Sequence, residues 1–215
     1  MINYLFQNYE RLLTALMEHL QIVGLTLFYS VILASIITLL IMGRKMISQL
    51  MVTTLGAAYS IPSLALFAIL IPVLGIGRDT AIFVLVLYNQ FLLVRNFLAG
   101  FEGIDPALIE AAVGMGMPSF TLLWKIKLPL AFPAIMAGIH LAVISTIGIA
   151  VIAATINAGG IGVILFDGLR TVNTVKILWG TVLSAGLAIA VNLLLSGIQW
   201  LVNRKFEPKG TGFEQ

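Results

Sequence analysis

Long stretches of this chain carry no charge at all, and short charged clusters separate them. Gln21 to Gly43 is uncharged and is followed by Arg44 and Lys45. Met46 to Gly77 is again free of charge, and Thr80 to Val94 lies between Asp79 and Arg95. Leu128 to Phe166 is uncharged, and so is Ile177 to Asn203. Crossing a bilayer takes about 20 predominantly apolar residues in a helix. The runs therefore predict five spans, at about 22–42, 51–72, 80–98, 131–154 and 177–202. Arg95 sits inside the extended third span, where its long stem can carry the guanidinium towards the headgroups. Pro62 falls within the second span, removes a backbone donor and predicts a local bend or unwinding. The glycines of the Asn157-Ala158-Gly159-Gly160-Ile161-Gly162 stretch predict that the fourth helix breaks there.

Ahead of the first span, Ile2, Leu5, Phe6, Tyr9, Leu12, Leu13, Leu16 and Leu20 recur at helical spacing, with Asn3, Gln7, Glu10, Thr14 and Glu18 towards the other face. Residues 2–19 thus read as an amphipathic helix on the membrane surface; the alternative is an extension of the first span. Glu10 and Arg11 precede the first apolar run and no basic leader opens the chain, so this is not the pattern of a cleaved signal peptide.

Composition agrees. Of 215 residues, 60% are hydrophobic and 10% charged, against about 25% charged in soluble domains. The class is an all-α polytopic membrane protein, a single transmembrane domain over 1–215. With no cysteine, thiolate metal sites and cysteine nucleophiles are excluded. Paired carboxylates, metal-ligand clusters and a catalytic triad pattern are lacking, and so is a glycine-rich phosphate loop ending in Lys-Ser/Thr. The chain is therefore expected to be non-catalytic, to hold no metal or other cofactor, and not to bind nucleic acid, for which it has no Lys/Arg-rich run.

The polar stretch Gly100–Lys127 is the long loop available as a docking surface. Within it, Asp105 suits an N-cap and Pro106 the first helical position. Gly114, Gly116 and Pro118 close the segment, giving a short helix at about 105–116 with small residues at Ala107, Ala111, Ala112 and Gly114. If this loop is cytoplasmic, eight of the twelve Lys and Arg residues fall on the inner side and four on the outer. That asymmetry favours an outside N-terminus and a cytoplasmic C-terminus.

The same loop reads Glu110-Ala111-Ala112, three residues, Gly116, nine residues, Ile126, one residue, Leu128-Pro129. This resembles the cytoplasmic motif of permeases of binding-protein-dependent ABC importers, between the third and fourth of five spans. The resemblance implies that Asp105, Glu110, Ala111, Ala112, Gly116, Leu128 and Pro129 belong to a coupling element that docks on a cytoplasmic ATPase, where ATP and Mg are bound. It further implies a second permease, identical or similar, an extracytoplasmic substrate-binding protein on another polypeptide, and residence in a bacterial cell membrane. Tyr59-Ser60-Ile61-Pro62-Ser63-Leu64-Ala65, and Asn157-Ala158-Gly159-Gly160-Ile161-Gly162 with Phe166 and Gly168-Leu169, are similar to permeases for osmoprotectants such as glycine betaine, carnitine and choline. The commoner form has Gly at position 157 and Leu at position 161. Tyr59, Ser60, Pro62, Tyr88, Asn89 and Asn157 are candidate path-lining residues, with helix packing as the alternative for each. Other solutes, such as an amino acid or methionine, and a gated channel subunit are the competing functions. His140, inside the fourth span, reads as a neutral histidine hydrogen-bonded between helices rather than part of a proton relay.

Overall fold

A computed structural model describes residues 2–206 of the chain, and every regular element among them is helical. The elements are α1 (Ile2–Ile41), α2 (Lys45–Tyr59), α3 (Ser63–Leu74), α4 (Arg78–Glu102), α5 (Pro106–Gly114), α6 (Ser119–Leu122), α7 (Leu128–Ala153), α8 (Gly162–Arg170) and α9 (Thr174–Phe206). A π turn, Leu123–Lys127, joins α6 to α7, and a 3-10 turn, Ala154–Ile156, ends α7. Ile2–Ile41, Arg78–Glu102, Ser119–Ile156 and Thr174–Val202 are each long and apolar enough to cross a membrane, and the pair α2–α3 makes a fifth span if its halves count as one. Lys209, counted above with the basic tail, lies outside the described residues.

Three features differ from the sequence expectation. First, residues 2–19 are not a separate surface helix. After a kink at Asn8 (φ −129°, ψ 19°) the helix runs on into the first span. No proline interrupts 2–41, and Leu12 and Ala15 are buried against Ile164 of α8, with Trp179 and Leu183 of α9 alongside. Second, the break at Pro62 is far sharper than a local bend: α2 and α3 meet at 92°. Third, the polar loop is shorter than 100–127, because α4 runs on to Glu102 and helix resumes at Ser119. The segment after the glycine stretch also forms α8, which the sequence pattern did not mark as a helix.

The π turn has a local cause. Pro129 cannot donate to the carbonyl four residues back, and its ring crowds that carbonyl. The backbone answers by widening one turn, so that the Leu128 N–H bonds the carbonyl of Leu123.

The core is the seam between α4 and α7, which run antiparallel. Gly100 lets α4 approach so closely that a Cβ there would lie 3.0 Å from the Ala131 carbonyl, and one on Gly138 would lie 2.7 Å from the Asn96 Cβ. Small residues permitting such approach are what holds helices together in lipid, where burial of apolar surface gives no driving force. Further along the seam, the Asn89 amide donates to Thr146 Oγ1 at 2.8 Å and to Ser30 Oγ of α1 at 3.2 Å. His140 meets Asn192 of α9, Nδ1 to Oδ1, at 2.7 Å. This polar contact ties α7 to α9 between the helices.

Candidate functional site

Two ends of the molecule concentrate polar chemistry. At one lie α5 and the turns on either side of it. A nine-residue helix is too short to be stable alone, and this one is capped at both ends. Asp105 accepts from the Ala107 N–H at 2.9 Å, and Pro106 fills the first helical position. At the far end the Met117 N–H bonds the Ala112 carbonyl at 3.1 Å, and the Gly116 N–H bonds the Val113 carbonyl at 2.9 Å. That pair is a Schellman cap. It requires the left-handed backbone that Gly116 supplies at φ +79°, and Pro118 follows to stop any continuation.

The motif residues then separate by role. Ala112 is buried, turned to its own chain, whereas Glu110 and Ala111 are exposed. Leu108, Ala111, Ala112 and Met115 line one side of a groove whose other side is Lys125, Ile126, Pro129 and Leu130. The π turn that Pro129 imposes thus supplies the second wall, which explains physically why Ile126 and Leu128-Pro129 accompany the helix at fixed spacing; Leu128 itself is half-buried at the start of α7. Glu110 also borders a concavity with Glu102, Lys45 and Lys127, and among the described residues it makes no ion pair. Leu108 and Val113 of α5, its C-cap Met115 and Phe120 of α6 are each at least half exposed here, apolar side chains around a helix capped at both ends.

The opposite end is held by polar contacts from α1. Glu18 accepts from the Gly160 N–H at 2.8 Å, and Arg78 donates to Gln21 at 3.1 Å. Asp167 on α8 bonds Lys176 of α9 and Arg11 of α1, each at 3.0 Å. Lys176 first, and Arg11 after it, hold the Asp167 carboxyl below its usual range. Asn157 ends the 3-10 turn in the left-handed region at φ 62°. It is exposed and lines a cavity with Thr155, Phe166 and Arg170.

The remaining path candidates cluster at the break between α2 and α3, with one exception. Ile61 sits between the two helices, and the Tyr88 hydroxyl donates to its carbonyl at 2.5 Å. Tyr59 meets Tyr88 edge-on, centroids 5.5 Å apart, and lies tilted against Phe91 at 5.2 Å. Ser60 and Pro62 are exposed at the corner, and Ser60 Oγ donates to the Gly56 carbonyl. The exception is Asn89: it is 1% exposed and spent on Ser30 and Thr146, which is the helix-packing alternative. Phe91 is a residue that sequence reasoning missed. The signal was there in the spacing Tyr88, Phe91, Arg95, one face of a helix at i, i+3 and i+7.

Comparison with known proteins gives consistent findings. The family described as "Binding-protein-dependent transport system inner membrane component" matches residues 30–208. The chain is 32% identical over 210 residues to the glycine betaine/carnitine/choline transport system permease protein OpuCB of Bacillus subtilis, covering 98% of this chain and 95% of that one. It is 32% identical over 212 residues to the osmoprotectant import permease protein OsmW of Salmonella typhimurium, covering 95% and 97%. Among solved structures, an inward-facing form of the MetNI methionine ABC transporter superposes with a TM-score of 0.77 at 21% identity, over 86% of this chain and 93% of that chain. At that identity the likeness establishes the fold.

Proposed function

The chain belongs to the inner membrane components of binding-protein-dependent transport systems, and we propose that it is the translocating subunit of an ATP-driven osmoprotectant importer, passing solutes such as glycine betaine, carnitine or choline. The observation that carries this reading is α5: a short helix, capped at both ends, projecting an apolar face from the loop between two spans. Such an element has little to stabilise it except a partner. A cytoplasmic ATPase that binds ATP and Mg would seat α5 in a groove, and closure of the ATPases would reach the spans as a rigid-body shift. The end bearing α5 is cytoplasmic on this reading, so the C-terminus is inside, the N-terminus outside, and the end bearing Asn157 and Asp167 faces an extracytoplasmic substrate-binding protein in a bacterial cell membrane. A second permease, identical or similar, completes the pathway. In support of that, α9 leaves Val182, Ile189, Leu193, Leu194 and Ile198 at least half exposed within the chain.

Reconstitution with the ATPase and the binding protein tests it. Uptake of radiolabelled carnitine, glycine betaine or choline should require ATP, and a Gly116→Glu variant should remain membrane-inserted while hydrolysis and uptake uncouple. Crosslinks from α5 that reach only lipid or water in the assembled complex, or uptake indifferent to ATP, would refute the reading.

A further inference from the structure

A cleft of about 420 Å³ separates α2 from α4 and is lined by Lys45, Gln49 and Thr53 on one helix and Arg95, Ala99 and Glu102 on the other. The two helices run antiparallel. Lys45 and Glu102 stand at the mouth, Thr53 and Arg95 deeper, then Gly56 against Phe91, then Tyr59 against Phe91 and Tyr88 at the break. Gly56 permits this contact, since a Cβ there would lie 3.0 Å from the Phe91 ring.

Arg95 is exposed in the cleft, its guanidinium 5.8 Å from the Phe91 ring centroid. Among the described residues the ion pairs involve Asp167, and none reaches Arg95. An unpaired arginine within a span is costly and marks a pathway or a ligand. Here it stands beside Phe91, which packs in turn on Tyr59, and aromatic rings can attract a cation. A simple anion would use the arginine and ignore the rings. A simple organic cation would use the rings and be repelled by the arginine. A molecule carrying both charges a few ångströms apart uses all three side chains, and the mouth likewise offers one charge of each sign.

We propose that a transit site for betaine-type zwitterions lies where Arg95, in the lining of this cleft, adjoins Phe91 and Tyr59 just beyond that lining, with the quaternary ammonium on Tyr59 and Phe91 and the carboxylate on Arg95. The guanidinium now resting on Phe91 turns to the carboxylate and frees the ring for the ammonium. A guanidinium matches a carboxylate with two parallel hydrogen bonds, so Arg95 is the residue that separates carboxylate-bearing osmoprotectants from bare cations. The proposal rests on the osmoprotectant reading above and deepens it.

The test uses the complete importer in proteoliposomes, with its ATPase and binding protein, and compares carnitine, glycine betaine and choline at saturating binding protein. Arg95→Gln should lower carnitine and glycine betaine uptake about tenfold or more while choline uptake holds or rises. Arg95→Lys should keep most of the zwitterion uptake, and that rescue decides the matter if choline is not carried. Tyr59→Leu should lower transport of every solute carried. Basal ATP hydrolysis and melting temperature report whether each variant is folded. The proposal is overturned if Arg95→Gln changes nothing, if zwitterions and choline fall alike in a folded variant, or if Tyr59→Leu leaves uptake unchanged. Wild-type import of choline alone sinks the zwitterion site and leaves the importer intact. Wild-type import of none of the three sinks the osmoprotectant reading itself.

Discussion

Gly116 admits two explanations, and the structure decides between them in a way that substitution can check. It closes α5 in the left-handed region at φ +79° with both Schellman hydrogen bonds in place, and a Cβ added there meets nothing within 4 Å of this chain. The cost of a side chain is therefore conformational within the subunit: about 1–2 kcal/mol for an ordinary L-residue in that region. At about 1.4 kcal/mol per factor of ten, this is a fivefold to thirtyfold loss in the population of capped helix. Asparagine tolerates the left-handed region better than alanine, although it is larger. If the cap is what matters, Gly116→Asn should retain more solute uptake per ATP hydrolysed than Gly116→Ala, and Gly116→Val should retain least. If the reason is instead a tight approach by the ATPase, size rules and alanine should outperform asparagine. The assay is the ratio of uptake to hydrolysis in the reconstituted complex, with permease melting temperature as control. An order of Ala above Asn would refute the capping argument.

Asn89→Leu should lower the stability of the permease in detergent by about 1–2 kcal/mol, since interhelical hydrogen bonds in membranes average about 0.6 kcal/mol with a maximum near 1.7 and this amide reaches both α1 and α7; an unchanged denaturation midpoint would contradict that. In Gly162→Ala the new Cβ would run into the Val151 carbonyl, and because backbone cannot step aside the cost should reach the upper part of the about 1–3 kcal/mol range for overpacking, read as a lower melting temperature. Asp167 has its pKa depressed by Lys176 and Arg11, so its contribution is complete above the ordinary carboxylate range and disappears as pH falls through the depressed value. Asp167→Asn should therefore cost the same stability at every pH from about 5 to 8, and the gap from wild type should close only in acid; a gap that changes between pH 5 and 8 would show that another group titrates. His140→Gln should preserve uptake and its pH profile, because glutamine can still donate to Asn192; loss of transport would revive a proton-relay role.

What was legible in the sequence were features with a one-dimensional cause. Charge-free runs marked four long apolar helices, and a fifth span where the bent pair α2–α3 counts as one, because lipid excludes charge. Pro62 announced the broken second span because the missing N–H acts on its own helix, though nothing local states that the turn reaches 92°. Both caps of α5 could be read from Asp105-Pro106 and from Gly116 with Pro118, since capping is a short-range affair. Long-range pairings were not legible. Asp167 lies 156 residues from Arg11, and Asn89 lies 57 from Thr146; spacing along the chain carries no trace of either. The length of α1 was missed for a related reason. The polar positions between residues 3 and 18 look like a water-facing stripe, and Asn3, Gln7, Glu10 and Thr14 are exposed, but Glu18 at its end is turned inward to the Gly160 amide, so polarity there marks contact with the loop.

The architecture also bears on how a push on α5 could open a path on α2. α5 is tied at its start to α4 and at its end to α6, and through the π turn to α7. Those two long helices are fastened to each other at Gly100 with Ala131 and Ala134, at Asn96 with Gly138, and at Asn89 with Thr146. A seam closed at three levels, two by close approach at Gly100 and Gly138 and one by the Asn89–Thr146 hydrogen bond, resists shearing because packed contacts cannot slide by a fraction of a side chain. The neighbours differ. α2 and α3 are hinged at Ile61-Pro62, where the Tyr88 hydroxyl alone supplies the partner for the Ile61 carbonyl among the described residues, and α9 leaves large apolar side chains such as Val182, Ile189 and Leu193 exposed. A rigid α4–α5–α7 lever moving against a hinged α2–α3 would change the cleft between α2 and α4 first, and that cleft is lined by Arg95, with Phe91 and Tyr59 next along the same two helices.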